Sequence, residues 1–290
     1  MRIACIGEAM IELSLKDEGA AVGVAGDTLN TGIYLHRTAP SLAVDYLTCV
    51  GEDPFSTRII DFIAGHGLGT DAIRRIPDAA PGLYAITTSD TGERSFLYWR
   101  NQSAARRLFS DGDFTVLAGY DALYLSGISL AILPHSVRLS LLAFLQQSAV
   151  TVIYDSNYRP VLWDSLANAQ QVTQMMWQRA DIALPSIDDE MRLFDETAET
   201  VTARFLQSGL KGALKRGAEG PLSLGTRVSQ SYQAAEAVVD TTAAGDSFNG
   251  GYLGALFSGR SQAAALMAGH QMARRVVQYH GAIVPQDAPA

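Results

Sequence analysis

Asp240-Thr241-Thr242-Ala243-Ala244-Gly245-Asp246-Ser247-Phe248-Asn249-Gly250-Gly251 joins a run of small residues to a Gly-Asp pair, and a helical pattern follows at once. Apolar side chains recur at Phe248, Tyr252, Leu253, Leu256 and Phe257, the spacing of one helix face. Backbone N–H groups at such a turn, with the helix dipole behind them, make an anion site. Ala243, Ala244 and Gly245 are small enough to let a phosphate come close to the chain. Asp246 would repel that anion if binding were the only task. It has a use if it takes a proton from an alcohol while the N–H groups of residues 243–246 hold a transferring phosphoryl group. A bare Gly-Asp-Ser is ordinarily a helix N-cap; the whole run, placed late in an α/β chain, favours catalysis. A carboxylate at a helix N-terminus is expected to have a lowered pKa, so Asp246 reads as a weak base whose main work is to orient the hydroxyl. Gly250 and Gly251 cost helix propensity, which predicts close packing of this helix against another backbone.

Short apolar runs at residues 3–7, 46–50, 122–126, 150–155, 182–185 and 212–216 read as buried parallel strands. Helical patterns at 29–36, 56–66, 134–147, 167–179 and 201–208 lie between them, which predicts a parallel sheet covered on both faces. Residues 10–25 and 82–99 break the alternation with period-two patterns such as Leu83/Ala85 and Phe96/Tyr98, and Ser89-Asp90-Thr91-Gly92 supplies a turn. These read as antiparallel strands inserted in the core, so residues 1–290 form a single domain.

The chain has 290 residues, 48% of them hydrophobic, enough for one large α/β core. Its net charge of −8, with no block of Lys or Arg, argues against a nucleic-acid groove or a membrane-surface helix. No apolar run reaches membrane-spanning length. Cys5 and Cys49 sit in apolar strand-like runs and read as buried thiols in a reducing compartment. Residues 1–15 carry Glu8 and Glu12 and lack the pattern of a signal or transit peptide, so a cytoplasmic location is expected. There is no Gly-x-x-x-x-Gly-Lys-Ser/Thr. Gly65-His66-Gly67-Leu68-Gly69 follows a helical run instead of a strand, so its glycines read as a helix end and not as a dinucleotide fingerprint.

Residues 240–251 resemble the C-terminal signature of the ribokinase-like (PfkB) family of carbohydrate kinases. Residues 3–13 (IACIGEAMIEL) and Gly26-Asp27-Thr28-Leu29-Asn30 resemble the family's first strand and sugar-binding turn. Thr91-Gly92-Glu93-Arg94, Tyr98-Trp99-Arg100-Asn101, Leu125-Ser126-Gly127-Ile128-Ser129-Leu130 and Asp155-Ser156-Asn157-Tyr158-Arg159-Pro160 are similar to its branch acting on 2-dehydro-3-deoxygluconate. The similarity runs from about residue 3 to residue 285. It implies a three-layer α/β/α fold with a mostly parallel central sheet and a small β-sheet lid formed by 10–25 and 82–99. It also implies a homodimer or higher homo-oligomer through that lid.

The implied reaction is phosphorylation of the C6 hydroxyl of a 2-keto-3-deoxy sugar acid by ATP with Mg2+. Asp246 is the implied base, with Gly245, Ala244 and Ala243 as the anion hole. Gly26, Asp27 and Asn30 would bind sugar hydroxyls, although Asp27 could equally cap helix 29–36. Tyr84, Tyr98, Arg100 and Arg159 would serve the keto-acid end, because a carboxylate calls for a planar bidentate donor. Arg100 could instead pair with a local acid such as Glu93, and Arg159 could clamp ATP phosphates. Lys215-Arg216-Gly217-Ala218-Glu219-Gly220 resembles the loop along the nucleotide, with Lys215, Gly217, Gly220, Ser186, Asn157, Ala243 and Gly245 as contacts. His270 lies near the adenine-edge helix, where a lone His is more often structural. Many relatives carry Asn-x-x-Glu near the metal; Glu190 matches it with Ile187 in place of Asn, so Glu190 is a candidate only beyond the metal's direct ligands. A kinase for fructose or ribose, and a non-catalytic sugar-acid-binding regulator on the same fold, are the alternatives. The retained Gly245-Asp246 argues against the second.

Overall fold

Strands whose every interior position is apolar must be covered on both faces, and this chain has several. The computed structural model describes residues 1–16, 19–88 and 94–286. In chain order the strands are β1 (Arg2–Ile6), β2 (Met10–Lys16), β3 (Gly19–Ala25), β4 (Ala43–Leu47), β5 (Cys49–Val50), β6 (Arg74–Arg75) and β7 (Leu83–Thr88). They continue with β8 (Arg94–Trp99), β9 (Ala122–Ser126), β10 (Thr151–Asp155), β11 (Ile182–Ala183), β12 (Gly212–Leu214) and β13 (Leu222–Leu224). The helices are α1 (Asp27–Thr38), α2 (Pro54–Gly65), α3 (Gly127–Ala131), α4 (His135–Gln147), α5 (Leu166–Arg179), α6 (Ile187–Phe194), α7 (Ala198–Gln207), α8 (Ala244–Phe257) and α9 (Gln262–Val276).

The central sheet has the order β13-β12-β11-β10-β9-β1-β4 and is parallel except for β13. Side chains alternate between its faces as period two requires. Ala4 and Ile6 of β1 join Leu123 and Leu125 of β9 against Leu141, Leu145, Val172 and Met176 of α4 and α5. Ile3, Cys5 and Tyr124 point the other way, against Leu29 and Ile33 of α1 and Phe248 and Leu253 of α8. Helices on both faces make the expected three-layer α/β/α fold. Cys5 and Cys49 are buried free thiols, and burial pushes them up to about 12 and about 11.

A second sheet, β3-β2-β7-β8, forms the lid. Hairpins β2/β3 and β7/β8 are antiparallel as predicted, but β2 and β7 pair in parallel, with Ile11 opposite Leu83. The chain leaves the lid after β3, runs through the core and re-enters beside β2 in the same direction, which period-two patterning cannot reveal. The turn Ser89-Asp90-Thr91-Gly92, and Glu93 with it, lies outside the described residues. The run 46–50 is not one strand: β4 ends at Leu47, and β5 pairs with β6 instead.

The glycines of α8 have the predicted cause. A Cβ on Gly250 would lie 2.7 Å from Leu35 N and Thr31 O of α1. One on Gly251 would lie 2.9 Å from Ala268 O of α9. α8 is therefore clamped between two helix backbones, and its N-terminus is set by both.

Candidate active site

A cleft of about 1110 Å³ runs along the carboxyl ends of the sheet strands, from Tyr84, Phe96 and Tyr98 of the lid to Val238, Ala273 and Val277. This edge is where parallel α/β sheets present ligand sites. Asp246 stands in its floor, in the first turn of α8. Ala243 precedes that helix in the left-handed region at φ 60, so the turn keeps a conformation that costs a non-glycine residue about 1–2 kcal/mol. Strain held at a turn in the cleft floor fits a functional constraint.

Asn30 Nδ2 donates to Asp246 Oδ2 at 2.9 Å. Loss of solvent, and then repulsion by the Asp27 carboxylate, push the Asp246 carboxyl up to about 8. This reverses the expectation of a lowered pKa: burial and a like charge outweigh the favourable helix terminus. A carboxylate with its pKa near neutrality is a stronger base than the sequence suggested.

Asp27 is the first residue of α1 and makes no capping bond of its own; Gly26 is the N-cap. Its Oδ2 accepts from Asn157 Nδ2 at 2.8 Å and from the Ser126 hydroxyl. Asn157, expected on the nucleotide side, is thereby tied to Asp27. Gly26 lines the cleft, and a Cβ there would come within 2.2 Å of Glu8 O, so close packing on residue 8 requires a glycine at this position.

On the lid side, Tyr84 is buried with its hydroxyl donated to Glu12, while Tyr98 stacks on it at 5.5 Å and remains half exposed. Arg100 is also buried. Its NH2 group pairs with Glu8, itself 1% exposed, so the acid that meets Arg100 comes from β1–β2. The suggested partner Glu93 lies outside the described residues. Arg159, by contrast, has a half-exposed side chain whose ion pair with Asp189 is long, 3.4 Å, and it lines the cleft.

Lys215, Gly217, Gly220 and Ser186 all line the cleft. Lys215 Nζ donates to Asp155 Oδ2 at 2.6 Å and to Asn249 Oδ1 at 3.2 Å. Gly220 has φ +79, and a Cβ there would strike the Tyr232 ring at 2.5 Å. His270 shares a 2.7 Å hydrogen bond with Gln233 O, packs on Tyr232 and also lines the cleft.

Glu190 is misplaced by the Asn-x-x-Glu reading. It is fully buried outside the cleft, bonded to Arg204 at 3.0 Å, and burial pushes its carboxyl up to about 7. Ile187, the other half of that match, packs against the core. One residue earlier, Ser186 and Asp189 keep the same three-residue spacing and both line the cleft. Burial raises the Asp189 carboxyl despite Arg159. The amphipathic pattern of 187–194 carried this signal: Leu193 and Glu190 face the core, Asp188 and Asp189 the cleft. Among the described residues no three His, Cys, Asp or Glu side chains cluster as a ready-made metal site.

Sequence reading missed Glu8, Asp155 and Asp189, and the apolar end formed by Val238, Ala273, Val277 and Ala282. Glu8 and Asp155 were legible only as acids near strand ends; what they pair with lies 92 and 60 residues away. Among the described residues, no helix is long and apolar enough to cross a membrane.

The profile described as pfkB family carbohydrate kinase matches residues 1–289. The chain is 44% identical over 303 aligned residues to the 2-dehydro-3-deoxygluconokinase of Escherichia coli strain K12, covering 99% of this chain and 98% of that protein. It is 42% identical to the protein of the same name from Dickeya dadantii strain 3937, covering 99% and 97%. A solved structure described as a putative ribokinase II from E. coli, in complex with ATP and Mg2+, superposes with a TM-score of 0.82 at 22% identity, over 97% of this chain and 94% of that one.

Proposed function

The chain belongs to the pfkB family of carbohydrate kinases, and on that premise we propose that it transfers the γ-phosphoryl group of ATP to the C6 hydroxyl of 2-dehydro-3-deoxy-D-gluconate. The observation that carries the reading is Asp246, raised toward neutrality and held by Asn30, at the helix terminus that floors the cleft. The full-length resemblance to two 2-dehydro-3-deoxygluconokinases supports the acceptor and disfavours a neutral ketose or a non-catalytic binder.

The acid lies with its C1 carboxylate under the lid, among Tyr98, Arg100 and Arg159, and its C6 hydroxyl at Asp246. The acceptor O–H bond breaks, its proton goes to Asp246, and the oxygen forms a bond to the γ-phosphorus. The bond from that phosphorus to the bridging oxygen breaks, and its electron pair leaves with ADP. N–H groups of Ala243, Gly245 and Asp246 take up charge on the transferring group; the Ala244 N–H, expected among them, is spent on Thr241 O at 3.1 Å. Gly26, Asp27 and Asn30 orient the sugar hydroxyls. The loop from Lys215 to Gly220 and Ser186 follow the phosphates, and the apolar end at Val238, Ala273 and Val277 takes the base. The lid excludes water, the competing acceptor.

Asp189 fits a divalent cation: its carboxyl lines the cleft, is largely enclosed, and its ion pair with Arg159 is long, 3.4 Å. With Asp188 and Ser186 it would hold the hydration shell of Mg2+, which when bound neutralises charge on the ATP phosphates.

The lid also supports a homodimer. Leu97 and Trp99 are 56% and 57% exposed on β8, one of the two edge strands of its sheet, and an open apolar strand of this kind invites pairing.

The test is ADP release with Mg-ATP on the sugar acid, its C4 epimer, fructose and ribose, with Asp246→Asn as control. Turnover on the acid that collapses in the variant is expected. Preference for a neutral sugar would sink the carboxylate argument, and binding of the acid without turnover would favour a regulator.

A further inference from the structure

We propose that Lys215 is a catalytic residue of this reaction, its ammonium meeting the γ-phosphoryl group in flight, with Asp155 and Asn249 as the groups that position it. The inference rests on the kinase reading above and goes beyond a lysine that only lines the nucleotide loop.

Lys215 directly follows β12, and its backbone is pinned on both sides: Lys215 N donates to Pro185 O at 2.8 Å, and Ile187 N donates to Lys215 O at 2.9 Å. The side chain is 11% exposed and opens into the cleft. An ammonium has three donors. Two are spent, on Asp155 Oδ2 at 2.6 Å and Asn249 Oδ1 at 3.2 Å, and the third has no partner among the described residues. Its direction is marked by Gly245. Beyond its chain neighbours and its own helix backbone, a Cβ built there meets nothing within 4 Å among the described residues except Lys215 Nζ, at 3.8 Å. The open space over the anion turn is therefore bounded by the ammonium, and a phosphoryl group seated on that turn would lie against it.

Asp155 does not use up the lysine's charge alone. It also accepts from Asn249 Nδ2 at 2.6 Å and from Asn157 N at 3.2 Å, so three donors share one carboxylate. Asn249 is itself anchored by Tyr124, to whose hydroxyl it donates at 2.9 Å. Asn249 stands three residues after Asp246 on α8, on the same face. One helix turn thus sets the base and the cation at a fixed separation. A buried ion pair is weak support for stability by itself, since apolar groups would pack there at less cost. A preorganised cation facing developing charge explains its presence. In the step, no proton moves to or from Lys215. It neutralises charge on the γ-phosphoryl oxygens while the acceptor O–P bond forms, the acceptor proton goes to Asp246, and the bridging-oxygen bond breaks toward ADP.

Three variants test it: Lys215→Met, Lys215→Arg, and Lys215→Met/Asp155→Asn, the last removing the carboxylate that the first would leave buried without its cation. Turnover on the sugar acid is read beside ADP affinity by calorimetry and thermal melting. The expected result is a kcat loss of about 10²–10³-fold in Lys215→Met, with ADP affinity within about threefold of wild type. The double variant should melt near wild type and be no slower than Lys215→Met, because one anchored group has been removed in both. Lys215→Arg should recover part of the loss. A folded double variant within tenfold of wild-type kcat would overturn the proposal, as would an ADP affinity loss equal to the kcat loss. Wild type inactive on every acceptor would overturn the kinase reading itself, and this one with it.

Discussion

Gly250→Ala places one methyl group between the two helices that carry the site. The added carbon would lie 2.5 Å from Tyr34 Cβ and 2.7 Å from Leu35 N and Thr31 O, against an ordinary contact of 3.4 Å or more. All three neighbours are fixed by the backbone, Tyr34 Cβ included, so α1 and α8 must part by roughly 0.7–0.9 Å, a distance set by close packing. The stability effects nearly cancel. Overpacking costs about 1–3 kcal/mol, and replacing a mid-helix glycine with alanine returns about 1 kcal/mol. The net loss of about 0–2 kcal/mol lowers Tm by no more than about 5 °C in a chain of this size. Activity should fall much further. α1 brings Asp27 and Asn30 and α8 brings Asp246, and Asn30 already bonds Asp246 at 2.9 Å. A misplacement approaching 1 Å costs up to about 10²-fold in rate, so kcat/KM for the sugar acid is expected to drop by about 10- to 100-fold. Gly251→Ala is the internal comparison. Its methyl group would press on Ala268 O at 2.9 Å, displacing α9, which lines the apolar end of the cleft, so KM for ATP should rise instead. Steady-state kinetics in both substrates, beside a melting curve, separates the two. A Gly250→Ala enzyme with wild-type kcat/KM for the acid would refute the claim that the α1–α8 contact sets the site geometry.

The raised pKa of Asp246 predicts that kcat/KM for the acid climbs with pH through about 8, and that Asp27→Asn, by removing the repelling carboxylate, moves this limb to lower pH; a limb that stays in place would dismiss Asp27 as a cause. The same shift acts on stability. From the unfolded value near 4 up to about 8 the unfolded chain is ionised while folded Asp246 holds its proton, so native stability falls across that window, and Asp246→Asn should gain in Tm over wild type as pH rises through it. Glu8→Gln leaves the buried Arg100 without its counter-charge and should cost about 3–5 kcal/mol in denaturant titration, with a raised KM for the acid; an unchanged midpoint would show the pair to be dispensable. Leu97→Glu with Trp99→Glu should convert a dimer to a monomer in sedimentation velocity, and a dimer that survives both changes places its interface elsewhere.

Local chemistry was enough to read the turn into a helix at 240–251, the alternation of buried strands and helices, and the backbone contact behind Gly250 and Gly251, because each leaves a periodic or steric mark within a dozen residues. The same holds for the free buried cysteines. Pairings across the chain left no such mark. That β2 joins β7 in parallel, that Glu8 meets Arg100, and that Asp155 holds Lys215 depend on which strand ends the topology brings together. The Asp246 pKa was misjudged for the same reason: the helix terminus was visible in the sequence, but the enclosing protein and the Asp27 carboxylate, over 200 residues away, were not. Whether Glu190 or Asp189 faces the cleft turned on one residue of helical rotation, about 100°. Sequence alone determined the small-residue turn that opens α8 and the kinds of side chain around it. Only the tertiary structure decided which charges are buried together, since desolvation and Coulomb forces act through space and not along the chain.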